Sequence, residues 1–400
     1  MKENESALYS HYIIDGLRFE MTPADLLDEC MEYDEDGVAE SEYFGSFEDI
    51  IDEAVDLPVT SFTYDTGMNR TYAEETAAAS GEERAFTMLY PEHFTKLQIA
   101  SALISRLWSE GHFRLGDLRI WAQWEWDTNP VGNMSAFYAS TSAASEYIYG
   151  IGVKMSDYLF IEGDGGSNAK FFAWLPEYEE DDEDISEEAL FKSSPYESHH
   201  PWIGDERKCS PVLADEPESR IIYIPFDTCS YKLGGSLLAQ IKGHNGGPGP
   251  QIQDPDYFID CYEVVRELVE DGIIKAGVCC GDGGLATAAE KLCDGKSADL
   301  DISGIMSSYQ ETDSTKVLFG EIPGVLIQIL ENDYDYFDSQ LLLQDIAYYP
   351  LGAPSIEGKG LRFIERATDG VAGILASLLS QAAVPLPESL LQLLRHEAET

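Results

Sequence analysis

One ordered series of segments in the second half of the chain leaves few folds open. Arg220-Ile221-Ile222-Tyr223-Ile224-Pro225-Phe226 reads as a buried strand, with Leu233-Gly234-Gly235-Ser236 after it. Beyond the Gly/Pro-rich loop His244 to Pro250, Asp254-Pro255 supplies the N-cap and first turn of a helix whose apolar stripe is Phe258, Tyr262, Val265 and Leu268. Ala276-Gly277-Val278-Cys279-Cys280 is then a strand, broken at Asp282-Gly283-Gly284 before an Ala-rich helix. Strands at Lys316–Phe319 and Val325–Leu330 flank Gly320-Glu321-Ile322-Pro323-Gly324, and another runs from Ala347 to Leu351. Strands and helices in this irregular order predict an α+β subdomain on a mixed sheet.

Upstream, residues 1–43 are polar, with an acidic run from Asp28 to Glu42, and read as a solvated arm holding one short helix. Residues 44–176 read as an N-terminal sheet-and-helix subdomain. Its expected strands are Leu57–Tyr64, Ala85–Tyr90, Leu118–Trp124, Tyr158–Glu162 and Lys170–Leu175. Phe94, Leu97, Ala100, Ile104, Leu107 and Trp108 recur at helical spacing, and a second helix covers Ala136 to Tyr149. Residues 177–219 form an acidic, Pro-containing connector, residues 220–365 the C-terminal subdomain, and residues 366–400 two appended helices, Thr368–Gln381 and Glu388–His396.

Seventy-four acidic against 25 basic residues give a formal charge of −49. Such a surface repels phosphate backbones and anionic lipid, so nucleic-acid and membrane partners are not expected. It suits a salty, halophilic setting or a basic protein partner, including the role of an acidic decoy. The seven cysteines contain no CxxC pair, and an odd number cannot all pair within one chain, so reduced thiols are expected. The N-terminus has no apolar signal core, which predicts an unprocessed soluble protein.

Strand, Asp282-Gly283-Gly284 and helix is an arrangement whose backbone N–H groups receive an anion, although such turns also occur simply as tight turns. Three weaker candidates stand beside it. His199-His200 with Asp205 and Glu206 could hold a metal, but solvated loop histidines are the simpler reading. Cys279-Cys280 could be a reactive thiol pair, against small residues filling space. Asp164-Gly165-Gly166-Ser167 could be an anion nest, against a hairpin turn.

Taken in order, Leu-Gly-Gly-Ser, the Asp-Pro-capped helix, the DGG turn and Leu318-Phe319-Gly320-Glu321 resemble the AIR-synthase-like (PurM-like) family, specifically the second half of phosphoribosylformylglycinamidine synthases. The resemblance reaches upstream through Val55-Asp56-Leu57-Pro58-Val59, Gly81-Glu82-Glu83-Arg84-Ala85 and Leu115-Gly116-Asp117-Leu118-Arg119-Ile120, covering about residues 45–365.

The resemblance implies where chemistry would sit. The family's metal-facing Glu and Asn correspond to Ser101 and Ser105, its His–Asp pair before the turn to Val278 and Cys279, and its following Ser to Gly281. Asp282, Gly283 and Gly284 persist. Gly152-Val153-Lys154-Met155-Ser156-Asp157 keeps Lys154 and Ser156 of a phosphate loop. Hydroxyl, alkyl and thiol groups do not replace carboxylates around Mg²⁺. The expectation is therefore a degenerate homologue with no catalytic residues and no metal. It acts as a binding or structural protein, cytoplasmic or virion-associated, with a retained structural ADP or ATP left open. The alternative is one subunit of a split ATP-dependent synthase of purine biosynthesis. Family halves pair through their N-terminal sheets, which implies a homodimer here, with Phe62, Tyr64, Phe86, Met88, Trp121 and Trp124 at the interface or in the core beneath it.

Overall fold

The computed structural model describes residues 6–31, 49–56, 62–80, 84–109, 114–175, 207–355 and 360–365. His199-His200, residues 32–48, most of the connector and the appended C-terminal helices lie outside them. The strands are β1 Tyr12–Ile14, β2 Leu17–Arg18, β3 Ile50–Asp52, β4 Arg119–Trp126, β5 Lys154–Glu162, β6 Asn168–Trp174, β7 Ser219–Pro225, β8 Ile274–Cys280, β9 Ser297–Asp301, β10 Gly324–Leu330, β11 Tyr349–Ser355 and β12 Leu361–Ile364. The helices are α1 Ser6–Tyr9, α2 Pro23–Asp28, α3 Asn69–Ala79, α4 Pro91–Arg106, α5 Asn133–Gly150, α6 Leu237–Ile241, α7 Pro255–Glu270, α8 Gly284–Cys293, α9 Ser303–Ser308, α10 Ser314–Phe319 and α11 Tyr334–Leu343.

The large sheet has the order β12-β9-β11-β7-β10-β8 and is mixed, with β12 parallel to β9 and the other pairs antiparallel. Central β7 is apolar on both faces because both are covered. Ile222 and Ile224 join one core with Phe258, Val265 and Leu268 of α7, whereas Ile221 and Tyr223 join another with Leu285, Ala289 and Leu292 of α8. Two-sided burial turns the usual strand alternation into a continuous hydrophobic run. A smaller sheet, β5-β4-β6, puts Ile120, Ala122, Trp124 and Trp126 against α4 and α5. Trp124 Nε1 donates to Ser140 Oγ of α5 at 2.9 Å, satisfying the indole where it is fully buried.

Three expectations are corrected. First, residues 6–31 are not a solvated arm. β1 pairs with β2 and β3, α2 packs on α5, Tyr12 and Leu27 are fully buried, and Met155 N–H donates to Cys30 O at 2.8 Å. The acidic side chains hid a packing face made by a few apolar residues. Second, Ala85–Tyr90 and the described part of Leu57–Tyr64 are not strands. Tyr90 N–H closes a turn onto Thr87 O at 2.9 Å that leads straight into α4 at Pro91, and Phe86 packs on Phe94 and Trp126. Third, Lys316–Phe319 is helical, because the Asp313 side chain caps Thr315 N–H at 3.0 Å and Gly320 N–H closes the last turn on Lys316 O.

Candidate functional site

Strand β8 ends at the DGG turn, and its backbone explains both glycines. Gly283 and Gly284 have φ of 76° and 65°. A Cβ on Gly283 would fall 2.1 Å from Thr287 Oγ1, and one on Gly284 2.8 Å from Leu318 O. No L side chain fits either place without strain.

Helix α4 and the residues just after it run along β8 and its turn in the opposite direction. Gln98 Nε2 donates to Asp282 Oδ1 at 2.9 Å. One turn on, Ser101 faces Gly281, and a Cβ on Gly281 would fall 2.5 Å from Ser101 Oγ, 3.5 Å from Ser101 Cβ and 3.8 Å from Cys279 Sγ. Further along, a Cβ on Gly277 would meet the Trp108 ring at 2.5 Å. Small residues on the strand thus let the helix sit directly upon it. Ser101 Oγ is buried against the Cys279 thiol, with no oxygen or nitrogen partner. Ser105, exposed, returns its hydroxyl to Ala102 O at 2.6 Å.

The residues that organise the turn are ones the sequence reading did not assign a role. Arg84 donates through Nη1 to Asp282 and through Nη2 to Glu321 Oε2 at 3.0 Å and to Gly235 O. Its guanidinium lies over Phe94 at 5.3 Å. Glu321 is wholly buried, and its Oε1 accepts from Gly283 N–H at 2.7 Å and Leu237 N–H at 2.8 Å. Burial pushes the Glu321 carboxyl upward, but Arg84 and these donors outweigh it and hold the group below its ordinary range. His93 Nε2 points at Glu321 Oε2 from 3.9 Å, beyond direct hydrogen-bond reach, and neither ring nitrogen has a hydrogen-bond partner. Both Arg84 and Glu321 stand inside motifs quoted above. What single-chain reading lacked was their pairing across more than 200 positions.

The loop after Gly234 wraps Tyr90. A Cβ on Gly235 or Gly249 would fall 2.6 or 2.9 Å from that ring, and Tyr90 OH donates to Gly247 O. Beside it, His244 is stacked on Phe62 at 4.2 Å, accepts from Gly246 N–H at Nδ1 (3.1 Å), and meets Tyr64 OH through Nε2 at 2.9 Å. A backbone N–H on Nδ1 places the ring proton on Nε2 and keeps the imidazole neutral. Burial lowers its pKa accordingly.

The other sequence candidates separate. Ser101, Cys279, Gly281 and Asp282 come together, whereas Lys154 and Ser156 do not join them by any hydrogen bond or ion pair among the described residues. Lys154 is exposed, and Ser156 donates to Ile120 O at 3.3 Å while accepting from Trp174 Nε1 at 3.0 Å. Burial pushes the Cys279 thiol up to about 12 and Cys280 well above its ordinary value, so neither is a thiolate at neutral pH. Asp164-Gly165-Gly166-Ser167 joins β5 to β6 as a connection between sheet neighbours of β4. Among the described residues no three His, Cys, Asp or Glu side chains converge as a metal-binding group, and no helix is long and apolar enough to cross a membrane. Beside the turn Ser101 and Cys279 offer a hydroxyl and a thiol rather than the oxygen anions that Mg²⁺ requires, so these two residues do not fit that ion.

Residues 217–338 match the model for the AIR synthase related protein, C-terminal domain. The chain is 25% identical over 290 residues to a probable phosphoribosylformylglycinamidine synthase, chloroplastic/mitochondrial, of Arabidopsis thaliana, covering 71% of this chain and 19% of that protein. The human phosphoribosylformylglycinamidine synthase is 22% identical over 259 residues, with 64% of this chain and 18% of that one covered. Among solved structures, PurLQS from Thermotoga maritima aligns with a TM-score of 0.47 and 13% identity over 69% of this chain and 40% of that chain. Escherichia coli HypE, a hydrogenase maturation protein, gives 0.40 and 12% over 70% and 77%. The chain thus spans about a fifth of the length of these curated relatives. It is a homologue of phosphoribosylformylglycinamidine synthase with an AIR-synthase-like fold.

Proposed function

We propose that the chain serves as one AIR-synthase-like half of a phosphoribosylformylglycinamidine-synthase-type assembly, giving it binding surface and architecture rather than phosphoryl transfer of its own. The hydroxyl of Ser101 and the thiol of Cys279 beside the DGG turn carry this reading. Phosphoryl transfer depends on positioned cations to neutralise developing charge, and the residues around the turn offer a hydroxyl and a protonated thiol where Mg²⁺ needs oxygen anions. The relatives from Arabidopsis thaliana, human, Drosophila melanogaster and Caenorhabditis elegans are synthases or probable synthases, which lends no support to a virion protein or an acidic decoy.

A second reading rests on the likeness to phosphoribosylformylglycinamidine synthases itself. As one subunit of a split ATP-dependent synthase, it would complete a nucleotide site on another chain. Its pairing surface would be the outer face of β5-β4-β6, where Phe172 and Leu159 are 39% and 38% exposed. Calorimetric titration with Mg–ATP and Mg–ADP, alone and with any co-purifying chain, separates the readings. The isolated chain is expected to show no ATP turnover, and heat of nucleotide binding only in the presence of a second chain would favour the split synthase. Magnesium-dependent hydrolysis by the isolated chain that disappears in Asp282→Ala would overturn the first reading.

A further inference from the structure

The anion-receiving groups of the DGG turn are already engaged by the protein itself. Gly283 N–H and Leu237 N–H converge on one oxygen of Glu321, and Arg84 Nη2 on the other. His93, 5% exposed and without a hydrogen-bond partner at either ring nitrogen, points at that second oxygen. The donors come from the segment before α4 (Arg84), the N-terminus of α6 (Leu237) and the turn before α8 (Gly283), three elements that Glu321 thereby ties together. A buried guanidinium, two backbone N–H groups and an imidazole aimed at one point make a built oxyanion cradle rather than an incidental ion pair.

We propose that this cradle is a carboxylate-binding site whose resident ligand is the chain's own Glu321, so that the segment before α4, the N-terminus of α6 and the DGG turn are held in a ligand-bound arrangement without an external anion. The proposal does not depend on whether the chain pairs with a second half. Its chemical class of ligand is set by size. Glu321→Ala removes a CH₂–COO⁻ group, and acetate carries that group with one further hydrogen.

The test is thermal melting of the full chain as wild type, Glu321→Ala and Glu321→Gln in sodium chloride, acetate, formate and phosphate at equal ionic strength. Acetate, and formate more weakly, should raise the melting temperature of Glu321→Ala saturably above its value in chloride. Wild type and Glu321→Gln, whose cradle stays filled, should not respond, and phosphate, which is larger, should rescue less than acetate. If Glu321→Ala is not recovered folded in chloride, the yield of refolding in acetate against chloride becomes the measurement. Recovery in acetate supports the site, and failure in every anion overturns it. An equal response of all three proteins to acetate, or none in Glu321→Ala, also overturns it.

Discussion

Gly281→Ala probes whether α4 closes on the DGG turn. The new methyl would stand 2.5 Å from Ser101 Oγ, with Cys279 Sγ at 3.8 Å on another side. Overpacking of this kind costs about 1–3 kcal/mol. Gly281 is not in a left-handed conformation, so the alanine regains about 0.4–1 kcal/mol by restricting the unfolded chain. The net loss should be about 1–2 kcal/mol. Ser101→Ala deletes a buried hydroxyl whose one polar neighbour is the weakly bonding Cys279 thiol, and should be within about 1 kcal/mol of neutral. In the double variant the nearest contact becomes the Ser101 Cβ position at 3.5 Å, an ordinary separation, so the loss should vanish. A favourable coupling of about 1–2 kcal/mol between the two sites is expected. With about 2.1 cal/mol/K of unfolding entropy per residue, a chain of this length melts roughly 1–2 °C lower per kcal/mol, which scanning calorimetry of the four proteins resolves. Zero coupling, with Gly281→Ala melting like wild type, would mean that the helix and turn stand apart in solution.

Further expectations can be checked alongside. Melting temperature should rise between ~0.05 M and ~2 M KCl because screening removes self-repulsion at a charge of −49, and no rise would refute a general charge effect. His244 has a folded pKa below its unfolded value, so its contribution is present above about pH 6.5 and lost as pH falls through that point toward the folded value. Replacing it by Phe should flatten the pH dependence of stability in this window, and an unchanged slope would count against the neutral-ring assignment. The protein is expected to be a homodimer by light scattering, and Phe172→Asp on the outer face of β5-β4-β6 should halve the mass. A wild-type mass of one chain would refute that pairing.

The legible parts of the fold were those with a strong local pattern. β7, β10, α4, α5 and α7 carry long apolar runs or stripes and stand close to where their residues place them. Helix α3 was missed because Asn69-Arg70-Thr71-Tyr72-Ala73-Glu74-Glu75-Thr76-Ala77-Ala78-Ala79 has almost no apolar stripe. It is held by specific contacts instead, including Thr287 Oγ1 to Thr76 Oγ1 at 2.7 Å and Arg70 to Leu361 O at 2.8 Å. The same limit applies to the site. Asp282-Gly283-Gly284 announces a turn because its glycines answer a local backbone need. Arg84, His93 and Glu321 become a cluster only through tertiary contacts, and nothing local to any of them encodes the other two.

The order of the large sheet also governs how the chain is made. β7 has both its neighbours, β10 and β11, later in sequence, the nearer beginning at Gly324. At about 5–20 residues per second of synthesis, a strand with five consecutive buried apolar and aromatic residues, Ile221 to Pro225, waits on the order of 5–20 s for its first partner. During that interval the nascent chain is open to chaperones and to its copies on neighbouring ribosomes. The acidic segments already synthesised repel those copies, so the charge that burdens the finished protein protects the unfinished one.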